Sequence, residues 1–441
     1  MSPTSCQTAP PRARRVKDYI DCGKIVSTKL DAENATRSGW NDVASGSSRQ
    51  RRYTRPVSGF GQSLRREFRL EPGVDFINHG SFGAAPVAVL AEAERWRSRM
   101  EANPDDFLRD VLPAALRAAA AELALFVRAE PTDVAFVENA TAAISAVLRS
   151  LEFRPGDEIL LSSQSYGAVR QAVRFVCDRT GAKPVEARVR VPVSDRAELI
   201  DALVQALGPR TRLVIVDHVS SPSGVIWPVA EIIALARSQG ARVLVDGAHA
   251  PGQLELDLPA LGADWYAGNC HKWLFAARGC GFLWSRREAQ RELHPLAISH
   301  AYGSGFTAEF DWTGTRDFST WLACGPGIRF LQALGTEAAR AYCHSLVVAA
   351  GDQIARAWGE PLGGPPHLHG FMMAVRLPPR WQRAATRENA AQLQSLLMRE
   401  HRVAVAVMPI GGALWTRISA QVYNSAQDYE RLLEAGLRGP D

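Results

Sequence analysis

A lysine that follows a histidine at the end of an apolar stretch is the first place in this chain where chemistry can be argued. Lys272 stands in Ala263-Asp264-Trp265-Tyr266-Ala267-Gly268-Asn269-Cys270-His271-Lys272-Trp273. Twenty-six residues earlier, the run Ala241-Arg242-Val243-Leu244-Val245 ends in Asp246-Gly247-Ala248-His249. An amine that must shed its proton to attack an aldehyde gains from a desolvated, cation-rich pocket. A carboxylate at a strand end can hold a pyridine nitrogen in its protonated form. Lys272 and Asp246 together therefore suit pyridoxal phosphate. Taken singly, Asp246 reads as a turn or cap residue and Lys272 as a solvated surface charge. Their shared setting, each after an apolar strand-like run, favours the chemical reading.

Two further features fit a site of this kind. Glu138-Asn139-Ala140-Thr141-Ala142-Ala143 opens a helix whose free N–H groups, beside the Thr141 hydroxyl, could receive a phosphate; ordinary capping is the simpler alternative. Arg417, in Leu414-Trp415-Thr416-Arg417-Ile418-Ser419, is a guanidinium inside an apolar strand. Such a group needs a carboxylate, either from the protein or from a substrate. No GxGxxG or Walker sequence offers a competing phosphate loop. His367 and His369 sit in a Gly/Pro-rich loop with no further ligand at useful spacing, so no metal site is expected.

The elements that must position these residues alternate. Helical periodicity covers about 87–101, 112–128, 139–151, 166–181, 195–208 and 228–239. Strand-like runs occupy 158–161, 212–216, 242–245, 264–267 and 281–284. Apolar strands separated by amphipathic helices imply a mostly parallel sheet covered on both faces. Ligands of such sheets collect at the carboxyl ends of the strands, where Asp246 lies. The pattern changes after Pro326. The expected organisation is a large α/β domain over 71–325 and a smaller α+β domain over 326–441.

Composition is that of a globular chain, with 46% hydrophobic and 22% charged residues. No apolar run approaches a membrane span. Seven cysteines, an odd number with no CxxC pair, imply reduced thiols and a cytoplasmic location. Residues 1–69 carry 14 Lys/Arg against 6 Asp/Glu, so the formal charge of +5 becomes −3 for the remainder. Nucleic-acid binding by the body is thereby disfavoured. The segment 1–70, rich in Ser and Arg, is expected to be a disordered basic tail.

Asn78-His79-Gly80-Ser81-Phe82-Gly83, Asp217-His218-Val219-Ser220-Ser221-Pro222, Asp246-Gly247-Ala248-His249 and Arg417-Ile418-Ser419-Ala420-Gln421-Val422-Tyr423-Asn424 occur in this order. With the Lys272 segment they resemble the class V aminotransferase family of fold-type I pyridoxal-phosphate enzymes, in its isopenicillin N epimerase-like branch. The resemblance runs from about Phe76 to Asn424. It implies a fold-type I architecture and a Schiff base at Lys272. It also implies that Asp246 pairs with the pyridinium and that Ala140 and Thr141, helped by Asn269 and His271, hold the phosphate. Tyr166 would stack on the ring, with Ser221 and His249 near its phenolic oxygen. Asn78, His79 and Arg417 would contact the substrate, Arg417 through the α-carboxylate. A homodimer with shared active sites follows, Thr315 reaching the partner's phosphate. The implied activity is epimerisation of an amino acid, with carbon–sulfur lyase and aminotransferase chemistry as alternatives on the same scaffold. No cysteine follows Cys343, so a desulfurase that carries persulfide on a loop ahead of Arg417 is disfavoured.

Overall fold

The computed structural model describes residues 59–439. The expected tail over 1–58 lies outside them. Seven strands form the main sheet: β1 (Val134–Val137), β2 (Glu158–Ser162), β3 (Lys183–Ala187), β4 (Thr211–Asp217), β5 (Arg242–Gly247), β6 (Trp265–Asn269) and β7 (Gly281–Ser285). Their spatial order is β1-β7-β6-β5-β4-β2-β3. β7 pairs antiparallel with both neighbours and the other pairings are parallel. Every strand read from the sequence is present. β1 and β3 were not read: Val134-Ala135-Phe136-Val137 is only four residues long, and β3 is a largely exposed edge strand opened by Lys183-Pro184.

The sheet is apolar on both faces because alternate residues of its central strands join different cores. Val214, Val216, Val243, Val245 and Tyr266 face one cluster, while Leu213, Ile215, Leu244, Trp265 and Ala267 face the other. That period-two division is what parallel strands buried on both sides require. The covering helices Val87–Ala102, Leu112–Phe126, Ala140–Ser150, Gly167–Thr180, Arg196–Ala206 and Val229–Ser238 match the periodic stretches to within a residue or two.

Three later strands, β8 (Met372–Arg376), β9 (Ala406–Ile410) and β10 (Ala413–Ser419), form an antiparallel sheet in the order β9-β10-β8. Arg417 lies on its central strand, opposite Ala406 and Ala374. The larger core cluster runs from the main sheet to this one, taking in Trp273, Leu274, Met372 and Ile418.

Residues 59–70, read as the end of the tail, are instead packed. Leu64 is 1% and Phe68 5% exposed, and the Phe68 ring meets Phe275, Phe330 and Tyr423. The arginines around these two apolar residues hid them from a composition-based reading. Phe68→Ala should therefore cost about 3–5 kcal/mol, the usual range for emptying a buried Phe site. Urea unfolding of the two proteins measures this, and equal stability would show the segment to be dispensable.

Candidate active site

The carboxyl ends of β1, β2, β4, β5 and β6 face one region, and each delivers a polar residue to it. β5 ends in Asp246, whose carboxylate accepts the Ala248 N–H at 3.0 Å. Burial raises the Asp246 pKa, against the pull of that hydrogen bond and of Lys272. Gly247 cannot carry a side chain here, because a Cβ would overlap the Tyr266 ring.

β6 runs into Cys270 and then the turn that carries Lys272. The turn is closed by Ala276 N–H to the Cys270 carbonyl at 3.1 Å, and Phe275 within it takes φ 59°. A buried aromatic residue in the left-handed region is strained by roughly 1–2 kcal/mol, so surrounding packing must hold it. His271 is fixed by its ring Nδ1 on the Cys280 carbonyl at 2.9 Å. From the other side, the segment 78–83 presses close: a Cβ on Gly83 (φ 69°) would overlap the His271 carbonyl.

The Lys272 amine lies 3.1 Å from His249 Nε2. Burial, then the nearby Arg417 charge, lower its pKa to about 7, with Asp246 opposing. Burial and the Lys272 charge hold His249 well below the ordinary histidine value. The Trp273 indole N–H donates to His249 Nδ1 at 3.5 Å, so the tautomer satisfying both contacts donates from Nε2 to a neutral Lys272 amine. The chain has five lysines against 46 arginines, and among the described residues the other lysine, Lys183, is exposed. That scarcity was a sequence signal for Lys272 which motif reading alone does not use.

Arg417 is 1% exposed and meets no carboxylate among the described residues. Nη1 donates to the Ser221 carbonyl at 2.5 Å and Nη2 to the Ser81 hydroxyl at 3.1 Å. Asn78 backs this arrangement, its Oδ1 accepting from Ser81 at 2.6 Å and lying 3.5 Å from Nη2. Nε has no partner. Burial lowers the Arg417 pKa to about 10. Of the two sequence readings of this residue, the internal salt bridge is absent. An ion-sized positive charge waits for an anion.

The helix Ala140–Ser150 begins beside β6. Asn269 Oδ1 accepts the Ala140 N–H at 2.9 Å, and Asn139 Oδ1 caps Ala142 N–H at 2.9 Å. The Thr141 N–H and hydroxyl form no hydrogen bond among the described residues. Free donors at a helix N-terminus are an anion site in waiting. Tyr166 caps the helix Gly167–Thr180 and keeps 49% of its surface exposed at the mouth.

His79 and Thr315 stand apart from the residues above. His79 is fully buried, with Nδ1 2.9 Å from the Tyr423 hydroxyl and Nε2 2.9 Å from the Lys272 carbonyl. Both ring nitrogens are engaged inside the protein, so His79 supports the Lys272 backbone. Thr315, read as reaching the site of a partner subunit, is exposed. One residue was missed. Asp217, 3% exposed and in register with Asp246 on the adjacent strand, accepts from the Ser165 hydroxyl at 3.0 Å. Burial and the Asp246 charge push its pKa well up, and the Tyr166 backbone N–H counteracts them. Two adjacent buried carboxyls cannot both ionise readily, which leaves Asp217 as the neutral acid anchoring the Ser165-Tyr166 turn. Its Asp-His signature resembles any polar strand end, so only the register exposes it.

Reaction of Lys272 with trinitrobenzenesulfonate, in protein freed of small molecules, should speed up with pH and level off just above about 7. Below that value the amine is mostly protonated; above it, neutral. Peptide mass spectrometry reads the labelling, and a rate still climbing toward the ordinary lysine value of about 10.4 would contradict the burial argument.

Comparison with known proteins gives a consistent set of matches. A family model described as aminotransferase class-V matches residues 84–432. Isopenicillin N epimerase of Streptomyces clavuligerus is 38% identical over 394 residues, 85% of this chain and 97% of that protein. A putative L-cysteine desulfhydrase of Oryza sativa subsp. japonica is 34% identical over 408 residues, 84% of each. Among solved structures, the cysteine desulfurase CsdA of Escherichia coli has a TM-score of 0.69 at 22% identity, over 85% of this chain and 97% of its own. The cystine C–S lyase C-DES, in complex with its reaction product cysteine persulfide, has a TM-score of 0.69 at 22% identity, over 84% of this chain and 99% of its own. At such identity the structural likeness is one of fold.

Proposed function

The chain belongs to the class V aminotransferase family and is a pyridoxal-phosphate enzyme, and from that premise we propose that it removes the Cα proton of a free amino acid in the manner of isopenicillin N epimerase. The observation that carries this reading is the buried Arg417 guanidinium, without a carboxylate, near an amine whose pKa is about 7.

The residues fit the cofactor. The Thr141 N–H and hydroxyl, free at a helix N-terminus, are donors for a phosphate, with Ala140 and Asn269 shaping that turn. Asp246 is a buried carboxyl that a pyridinium would keep ionised. Lys272 supplies the amine that holds the aldehyde carbon. When bound, pyridoxal phosphate acts as an electron sink for the pair left at Cα.

The protein's own groups do the rest. Arg417 binds the α-carboxylate through two parallel hydrogen bonds and so fixes Cα. Lys272 is poised as the base, because a pKa lowered to about 7 leaves a substantial share of its amine neutral near neutral pH and His249 orients it. His249 and His271, kept neutral by burial, add no positive charge that would hold a proton off Lys272. Tyr166, exposed at the mouth, would stack on the cofactor ring, and the Ser221 carbonyl accepts from Arg417. A homodimer with Thr315 turned toward the partner's site accounts for that residue's exposure here.

A second reading, loss of sulfur from Cβ, begins with the same proton transfer and is supported by the L-cysteine desulfhydrases among the relatives. Incubation of the holoenzyme with a panel of amino acids in deuterated water separates the two. Deuterium at Cα with inverted configuration supports epimerisation; pyruvate and sulfide from L-cysteine support elimination. Absence of Cα exchange from every substrate would refute the common step.

Arg417→Lys should raise KM for free amino acids on the order of 10- to 100-fold, the loss of one charge-assisted hydrogen bond of the fork. The cofactor absorption spectrum should stay as in the parent. For α-amides, which never engaged the fork, the two proteins should differ little. Equal damage to acids and amides would assign Arg417 to the fold.

A further inference from the structure

Behind the Lys272 turn lie three thiols that the chemistry above does not use. Cys270 follows β6, Cys280 precedes β7, and Cys324 is the first residue of the helix Cys324–Ala333. All three are 0% exposed, and their sulfur atoms lie within 4.8 Å of one another. Nothing in their sequence spacing announces this: they are scattered singly and the fold gathers them.

The gathering is firm. Cys270 N–H and His271 N–H both donate to the Cys280 carbonyl, at 3.0 and 3.1 Å, so the strand ends are locked in register. The Trp321 indole N–H donates to the Gly279 carbonyl at 2.9 Å, fastening the chain just ahead of Cys324 to the same loop. Cys324 itself stands where a ten-residue helix begins, and a helix N-terminus favours the thiolate over the thiol. Small apolar filling is the ordinary use of a buried cysteine. It does not call for three sulfurs at one point with a helix start aimed among them.

We propose that Cys270, Cys280 and Cys324 form a three-sulfur site for a single soft, thiophilic cation. All-sulfur donors select soft ions such as Cu(I) or Cd(II) over hard ones. A metal–sulfur bond of about 2.3 Å spaces three coplanar sulfurs roughly 4 Å apart, inside the limit seen here. No fourth His, Cys, Asp or Glu joins the cluster among the described residues, so three-coordinate ions suit it better than four-coordinate structural zinc. Binding of one divalent ion forms three metal–sulfur bonds and releases to solvent the proton of each sulfur that was a thiol. The ion must enter through a local opening, because all three sulfurs are buried, so uptake and release are slow. Once in, it ties the ends of β6 and β7 to the helix Cys324–Ala333, two residues from Lys272.

The test titrates the full-length holoenzyme with Cd(II) alone. Expected are saturation at one ion per chain and a sulfur-to-cadmium charge-transfer band in the ultraviolet. Cys324→Ala should remove the band while the cofactor absorption remains, and Cys177→Ala, whose thiol lies in the other core cluster, should keep it. A readout without variants covers the case in which Cys324→Ala does not fold. In the native sequence, cadmium should shield Cys270, Cys280 and Cys324, and not Cys177 or Cys343, from maleimide during a brief denaturant pulse. No band at equimolar cadmium, a band that survives Cys324→Ala, or shielding of other thiols overturns the proposal.

Discussion

A guanidinium buried without a carboxylate sets the terms for everything around it. Removing a charge from water costs several kcal/mol even after relaxation, and Arg417 recovers part of that only from neutral oxygens of Ser221, Ser81 and Asn78. Burial does most to lower the affinity of Lys272 for a proton, and the Arg417 field adds to it. Were a carboxylate of the protein to neutralise Arg417, that field would vanish together with the appetite for an external anion. The same missing partner therefore contributes to two properties of the site.

Order in the sheet makes this tension tolerable. Parallel strands bring the ends of β4, β5 and β6 to one side, so Asp217, Asp246 and the Lys272 turn arise on rigid neighbours. The reversed β7 returns the chain at once beside β6, and its Cys280 carbonyl accepts three hydrogen bonds from Cys270 and His271. A turn with a left-handed Phe275 needs such bracing. Arg417 comes from the other sheet, and the apolar cluster common to both keeps the separation between guanidinium and amine from drifting.

Legibility followed the range of the interaction. Helices and central strands were readable because period 3.6 and doubly buried runs are written in neighbouring residues. Lys272 and Asp246 were readable because each closes such a run. The short β1 and the polar edge β3 carried no comparable pattern. The motif at His79 could not show its engagement with Tyr423, 344 residues away, which is a tertiary fact. Asp217 depends on strand register in the same way, and the meeting of Cys270, Cys280 and Cys324 on a turn and a helix start that pack together. The packed residues 59–70 were obscured by their arginines, since two apolar side chains do not alter the composition of a window.

The contact between His79 and the Lys272 carbonyl bears on how the protein is made. Lys272 lies past the middle of the chain, but the imidazole that holds its backbone belongs to an early segment and is itself held by Tyr423, near the end. During synthesis the turn can emerge from the ribosome well before its support is complete. A nascent chain therefore has its reactive amine in hand without the means to aim it. A truncated product lacking the Tyr423 region carries the amine with its brace unfinished.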